Sequence, residues 1–277
     1  MRVKFWGVRG SIPTPGRPTE KYGGNTACVE IREKKNRIIL DGGTGIRELG
    51  LSLVKEVPSE TALLFSHTHW DHIQGLPFFQ PFFTKGSTFR VFAPSVLTNR
   101  VEAILTQQME QHVFPVPFAA LSSKIMFEAL PKEGLQYGDL HISFFELNHP
   151  GKAFGYRISN GEESVVYATD NEIHRDKHKK AFKRTVKAVR GADFFIADAQ
   201  YSSKEYLKNR VGWGHSTYEE AMAAAREAGA EKLALFHHDP MSDDITLGKR
   251  ERSLRKKYRD ISLFFARDGM AVDVASH

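Results

Sequence analysis

Apolar positions along the chain follow two periodicities. Short runs that alternate or are apolar throughout predict strands at Arg2 to Val8, Asn25 to Arg32, Arg37 to Leu40, Thr61 to Phe65, Lys124 to Phe127, His141 to Leu147, Ala153 to Ile158, Val165 to Thr169, Phe194 to Ala197 and Lys232 to Phe236. Helical spacing predicts a helix over Ile46 to Val54 and another through Leu97, Val101, Ile104, Leu105 and Met109, capped by Ser95. Phe182, Val186 and Val189, and then Leu247, Leu254 and Tyr258, mark two more amphipathic helices. A capping box, Ser216-Thr217-Tyr218-Glu219, opens the helix Tyr218 to Ala228, which stops at Gly229. Ile261 to Phe265 and Met270 to Val274 read as a closing hairpin around Arg267-Asp268-Gly269. The least regular stretch, about 76–122, carries Phe78, Phe79, Phe82, Phe83, Phe114 and Phe118 among prolines. It reads as an aromatic-rich insertion in a single domain spanning 1–277, its rings packed against the body or serving as substrate cap or dimer contact.

Composition narrows the class. With 277 residues, 41% hydrophobic and 26% charged, the chain can bury a substantial core and is not of the disordered type. It shows neither a repeat of solenoid period nor a low-complexity linker. The N-terminus lacks the apolar core of a signal peptide, and no stretch reaches membrane-spanning length. The single cysteine, Cys28, lies in an alternating run, so it is expected to be buried, to exclude an internal disulfide and to suit a reducing compartment. A soluble cytoplasmic protein with no membrane partner is expected. Net charge of +6 favours anionic partners. Much of the excess sits at His174 to Arg184 and Lys249 to Lys257, read as solvated faces of surface helices, with an RNA-contacting stripe as the alternative.

The chemistry concentrates in Phe65-Ser66-His67-Thr68-His69-Trp70-Asp71-His72-Ile73-Gln74-Gly75, directly after a predicted strand. Side chains two apart in an extended segment share a side, so His67 and His69 converge on one metal. Asp71 and His72, past the turn, are better placed for a second, and imidazole with carboxylate suits zinc, manganese or iron. Other features are weaker when taken singly. Arg9 and Ser11 in the Gly-rich loop 7–16 either meet a phosphate or belong to a plain loop, and Asp41-Gly42-Gly43-Thr44-Gly45 is a turn from strand to helix. His149 and Asp170 fall at predicted strand ends, His215 just before a helix N-terminus, and His237-His238 after the strand Lys232 to Phe236.

Strand-end residues in the order His-x-His-x-Asp-His, then His149, Asp170 and His237, resemble the metallo-β-lactamase superfamily over nearly the whole chain. That resemblance implies an α+β fold, a four-layer αββα sandwich with two divalent metal ions in the cleft between sheet edges. It implies that His67, His69 and His149 hold the first metal, that Asp71, His72 and His237 hold the second, and that Asp170 bridges them. Asp41 would brace the metal loop from behind, and His238 is the less favoured neighbour of His237. Zinc is the first choice of metal, with manganese or iron as alternatives.

Within the superfamily, Gly214-His215-Ser216-Thr217 and Gly23-Gly24-Asn25-Thr26 resemble the phosphodiesterase branch that contains ribonuclease Z and bacterial cyclic nucleotide phosphodiesterases. The resemblance implies that Asp71, His215 and Asp198 are catalytic. His215 would contact the phosphate or protonate the leaving oxygen, Asp198 would orient it, and two metals would lower the pKa of a bound water. No Gly/Pro-rich arm of the ribonuclease Z kind is recognisable, so the expected substrate is a small anionic nucleotide, foremost a cyclic nucleotide or cyclic dinucleotide. An RNA-processing nuclease, a thioester or lactone hydrolase, and a catalytically silent nucleotide-binding protein are the alternatives. Branch resemblance and the aromatics point to a homodimer.

Overall fold

A computed structural model describes residues 1–56 and 60–275. In chain order its strands are β1 (Arg2–Gly7), β2 (Cys28–Glu33), β3 (Asn36–Leu40), β4 (Glu60–Leu64), β5 (Thr88–Pro94), β6 (Lys124–Leu130), β7 (Leu135–Tyr137), β8 (Leu140–Leu147), β9 (Ala153–Ser159), β10 (Ser164–Ala168), β11 (Phe194–Asp198), β12 (Lys232–Phe236), β13 (Ser262–Phe265) and β14 (Ala271–Asp273). The α-helices are α1 (Gly45–Leu53), α2 (Ser95–Gln107), α3 (Lys179–Val189), α4 (Ser203–Asn209), α5 (Tyr218–Ala228) and α6 (Asp244–Lys257). Two seven-stranded sheets form, ordered β14-β1-β2-β3-β4-β5-β6 and β13-β12-β11-β10-β9-β8-β7.

Alternation along the strands creates the layers. On β4, Ala62 and Leu64 enter the core between the sheets, while Leu63 joins Ile46 and Leu49 of α1 and Leu97 and Val101 of α2 on the outer side. On β11 and β12, Phe194, Ile196, Ala234 and Phe236 face the other sheet, and Phe195, Ala197, Leu233 and Leu235 face Phe182 and Val186 of α3, Ala221 and Ala225 of α5, and Leu247 of α6. The outcome is the expected αββα sandwich with three apolar layers.

Strand direction then gathers the loops. Strands β3 and β4 run parallel, as do β10, β11 and β12. Strand β8 is antiparallel to β9, which is antiparallel to β10, so β8 and β10 point the same way. The chain therefore leaves β8, β10, β11 and β12 at one edge of the second sheet. The two sheets are tied there: Phe154 donates its N–H to the Ser66 carbonyl at 2.9 Å and the Tyr156 hydroxyl donates to the Phe65 carbonyl at 2.6 Å.

Several expectations are corrected. The closing segments do not form a hairpin: β13 pairs with β12 in one sheet and β14 with β1 in the other, so the turn between them crosses the sandwich. Within 76–122, β5 pairs with β4 and β6, which makes part of the supposed insertion framework. Its prolines and aromatics hid a strand that alternation alone could not expose. Ser95 is the first helical residue of α2 rather than a side-chain cap. The cap of α5 is Thr217, whose hydroxyl accepts from the Glu220 N–H at 3.2 Å, and Ser216 is engaged elsewhere. The phosphate reading of Arg9 fails because its guanidinium is fully buried and is used up on the Gly23, Asp239 and Ser242 carbonyls.

Candidate metal centre

The motif loop leaves β4 in extended conformation and closes into a short turn at Trp70–His72. Thus His67 and His69 meet with ring centroids 4.4 Å apart, and His149, arriving from β8, stands 4.9 Å from each. Asp71 and His72 join Asp170 and His237 in a second cluster, which adjoins the first where the His67 and His72 ring centroids lie 4.3 Å apart.

Asp170 lies between the two groups and offers one carboxylate oxygen to each. Oδ1 is 3.7 Å from His67 Nε2 and 3.8 Å from His149 Nε2. Oδ2 is 3.1 Å from His72 Nε2 and 3.4 Å from His237 Nε2. His237 Nε2 also lies 3.1 Å from Asp71 Oδ2. Its neighbour His238 points away, bonded to the Ala266 carbonyl at 2.8 Å and stacked on Phe265.

Asp41 fixes the tautomers. One carboxylate oxygen accepts from the Ser66 N–H at 2.7 Å, and the other accepts from the Ser66 hydroxyl, from His72 Nδ1 and from the Tyr167 hydroxyl, each at 2.8 Å. With its proton given to Asp41, the Ser66 hydroxyl accepts from His67 Nδ1 at 3.0 Å. His67 and His72 therefore both turn Nε2 into the cluster, and both atoms are buried without a hydrogen-bond partner. His149 is set in the same manner by donating Nδ1–H to the Gly214 carbonyl at 3.0 Å. Gly214, at φ +90°, must be glycine, since a Cβ there would come within 2.1 Å of His149 Nδ1. Asp71 is braced by the Ser11 N–H at 2.8 Å, the use to which the Gly-rich loop 7–16 is put. The turn after Asp41 clamps the loop from below: Gly42 N–H donates to the His72 carbonyl at 2.7 Å, and Gly75 N–H to the Gly42 carbonyl at 3.0 Å.

Electrostatics favours a cation at each place. Burial, reinforced by His72 and the other imidazoles, holds His67 well below its usual value, and burial likewise lowers His69 and His149, so these rings present lone pairs. Burial would raise Asp71 and Asp170, yet the surrounding histidines outweigh it and keep both ionised, well below the usual range. His72 goes the other way. Burial pulls it down, but Asp71, Asp170 and Asp41 push it well above an ordinary imidazole. Five imidazoles and two carboxylates, with orphaned Nε2 atoms aimed inward, fit two divalent ions.

Beside the cluster stands His215, stacked on His237 at 4.9 Å and bonded through Nδ1 to Asp198 Oδ2 at 2.8 Å. Burial disfavours its charge, but the Asp198 carboxylate prevails and pushes the imidazole up to about 9. Asp198 also accepts the N–H groups of Asn171 and Ser216. The Ser216 hydroxyl donates to the Asn171 carbonyl and accepts from the Ile173 N–H, tying the His215 loop to the Asp170 loop.

The structure thus brings together every residue of the expected site. It adds Ser66, Tyr167, the Ser11 N–H and, above all, Glu172, which sequence reasoning passed over. Glu172 is buried and accepts from the Tyr206 hydroxyl at 2.6 Å, the Gly212 and Gly214 N–H groups at 2.8 Å and His178 Nε2 at 3.1 Å. Its signal was the polar run Thr169-Asp170-Asn171-Glu172 directly after a wholly apolar strand.

Comparison with known proteins agrees with this fold. A ribonuclease Z of Lachnoclostridium phytofermentans is 25% identical, the alignment covering 87% of this chain and 88% of that protein. Among solved structures, the metallo-β-lactamase fold protein YhfI of Bacillus subtilis superposes with a TM-score of 0.71 at 20% identity, covering 98% of each chain. The short form of human tRNase Z superposes at 0.69 with 17% identity over the full length of both. These likenesses at low identity show the fold. The family model described as a beta-lactamase superfamily domain matches residues 36–238, most of the chain, which therefore belongs to the β-lactamase superfamily of metal-dependent hydrolases.

Proposed function

We propose that the chain is a dinuclear phosphodiesterase acting on a small nucleotide, foremost a cyclic nucleotide or cyclic dinucleotide. The observation that carries this reading is His215, held at 2.8 Å by Asp198, beside two adjoining histidine–aspartate clusters that open into a cleft. The cleft measures about 490 Å³ and is lined by Ser11, Thr68, His69, Trp70, Asp71, Asp170, His215 and His237. His67, His69 and His149 would hold one ion, Asp71, His72 and His237 the other, and Asp170 both. Bound divalent ions supply a low-pKa water and neutralise charge on phosphate oxygens.

The chain's own residues do the rest. Asp198 accepts the hydrogen bond from Nδ1–H, leaving Nε2–H of His215 as the group that hands a proton to the departing ester oxygen and recovers it from water. A cationic imidazole also attracts the phosphate before any bond changes. Asp41 and Ser66 keep two imidazoles in the tautomer that leaves Nε2 free, and Ser11 keeps Asp71 from rotating. The buried thiol of Cys28 takes no part and suits a reducing cytoplasm. No helix among the described residues is long and apolar enough to cross a membrane.

The test is a panel of cyclic nucleotides, dinucleotides, thioesters and lactones offered to protein loaded with zinc or manganese. Diester hydrolysis well above a His69→Ala control is expected; hydrolysis no faster than that control overturns the proposal. The ribonuclease Z relatives favour a second reading, cleavage of RNA, with the lysines and arginines of α3 and α6 as phosphate contacts. It requires RNA binding that weakens steeply as salt rises, and flat binding from low to moderate salt excludes it.

A further inference from the structure

We propose that Trp70 is the specificity-determining platform of this site, stacking against a nucleobase of the substrate while the phosphate occupies the centre. The proposal rests on the phosphodiesterase reading and adds to it the part of the substrate that the ligands do not touch.

The indole is 81% exposed. A tryptophan normally gains its stabilisation by burial, so an indole left in water contributes little to the fold. Its place is nevertheless fixed. Its chain neighbours are His69 and Asp71, one in each cluster, and its carbonyl accepts the N–H groups of Ile73 at 3.0 Å and Gln74 at 2.8 Å. The backbone is therefore held by the metal loop, and the exposed ring forms part of the wall at the mouth of the cleft.

A phosphodiester carries two ester groups, and with its phosphate at the centre one of them must leave through that mouth. The remaining wall is ionic or small: Ser11, Thr68, Asp71, Asp170 and the histidines. Trp70 is the one large flat apolar surface among these lining residues, and the ester group it suits is one with an aromatic face. Stacking does not read hydrogen-bond edges, so the site should tolerate several bases and favour those that stack well.

The test compares wild type, Trp70→Phe and Trp70→Ala, all manganese-loaded, on the methyl ester of thymidine 5′-phosphate and on its abasic deoxyribose counterpart, so that the base is the one aromatic group that differs. Base stacking predicts that Trp70→Ala raises KM for the thymidine ester roughly 5- to 150-fold with kcat nearly unchanged. The abasic ester should be unaffected, and Trp70→Phe should restore most of the loss. Calorimetric binding of adenosine monophosphate against ribose 5-phosphate gives a second readout without turnover: the preference for the base should vanish in Trp70→Ala. Equal effects on both esters, or none on either, overturn the platform and leave the phosphodiesterase reading standing. So does a Trp70→Ala variant that loses only self-association, which would make the indole a contact between copies. Failure of wild type to cleave either ester overturns the phosphodiesterase reading and the platform with it.

Discussion

Replacing Glu172 with glutamine separates the scaffold of the site from its ligands. The carboxylate is 2% exposed, and its two oxygens divide four donors: Oε1 takes Tyr206, Gly212 and His178, and Oε2 takes Gly214. The amide keeps one acceptor and turns an NH2 toward whichever donors faced the other oxygen. In the better orientation three hydrogen bonds survive without charge assistance, each losing about 1 kcal/mol, and one buried N–H is left unpaired at about 1–3 kcal/mol. The total, on the order of 4–6 kcal/mol, is a large share of a typical folding free energy. Local opening of 209–215 offers an escape, so global stability should fall by less than the total and the loop should loosen. That loop carries His215 and the Gly214 carbonyl that aims His149, so first-ion affinity should drop about 10- to 100-fold. Urea unfolding, hydrogen exchange at the Gly212 and Gly214 amides, and metal titration measure the three effects. A variant within about 0.5 kcal/mol of wild type, with those amides still protected, would show that Glu172 does not organise the loop.

Three other outcomes follow from the same geometry. His215→Gln should lower kcat about 10²- to 10⁴-fold on diesters with alkoxide leaving groups and far less with 4-nitrophenolate, which leaves without a proton; the wild-type rate should decline as pH rises through about 9, and that limb should disappear in the variant. Asp268 is pushed up to about 6 by burial, so between its unfolded value near 3.8 and 6 the folded chain holds a proton that the unfolded chain has released. Stability should therefore fall as pH rises across that window, by on the order of 2–3 kcal/mol in urea unfolding, and Asp268→Asn should flatten the profile. His237 sits at φ +63°, so metal-free His237→Gly should be about 1 kcal/mol more stable than His237→Ala in thermal melts; equal or reversed stabilities would refute strain at this position.

How far the sequence carried depended on what kind of physics each feature uses. Strand interiors such as Phe194–Asp198 and Lys232–Phe236 were readable because burial on both faces leaves an unbroken apolar run with a polar residue at its end. The candidate ligands of the motif were readable from their clustering after a strand, whereas His149, Asp170 and His237 were assigned only through the resemblance, since a lone strand-end polar residue carries little signal of its own. Strand β5 was not, because Phe89, Arg90, Val91 and Phe92 sit among prolines and phenylalanines of similar hydropathy, and only pairing with β4 and β6 decides their conformation. The crossing of β13 and β14 into different sheets was hidden too, since two short strands around Asp-Gly carry the local signal of a hairpin whatever their partners. Glu172 and Asp41 differ instructively. Both are buried carboxylates with several donors, but Asp41 was found through a resemblance, whereas the donors of Glu172 come from residues up to 42 positions away.

The sign of φ at the strand ends was the least legible property, and it explains why the site sits where it does. Asp41 directly after β3, Asp170 two residues after β10 and His237 directly after β12 adopt φ of +61°, +52° and +63°. Glycine would enter this region freely, while each of these side chains costs about 1 kcal/mol or more. A left-handed residue ends a strand abruptly and swings the following chain aside, yet its own side chain stays at the sheet edge. A relaxed extended residue there would carry the strand onward past the cleft, and a glycine would turn the chain but offer no ligand. At Asp170 and His237 a left-handed aspartate or histidine does both, and Asp41 and Ser11 use the same conformation to brace the loop, whereas Lys34 and Lys152 adopt positive φ without joining the clusters. For Asp170 and His237, reaching the candidate metal centre is thus a backbone property as much as a side-chain one.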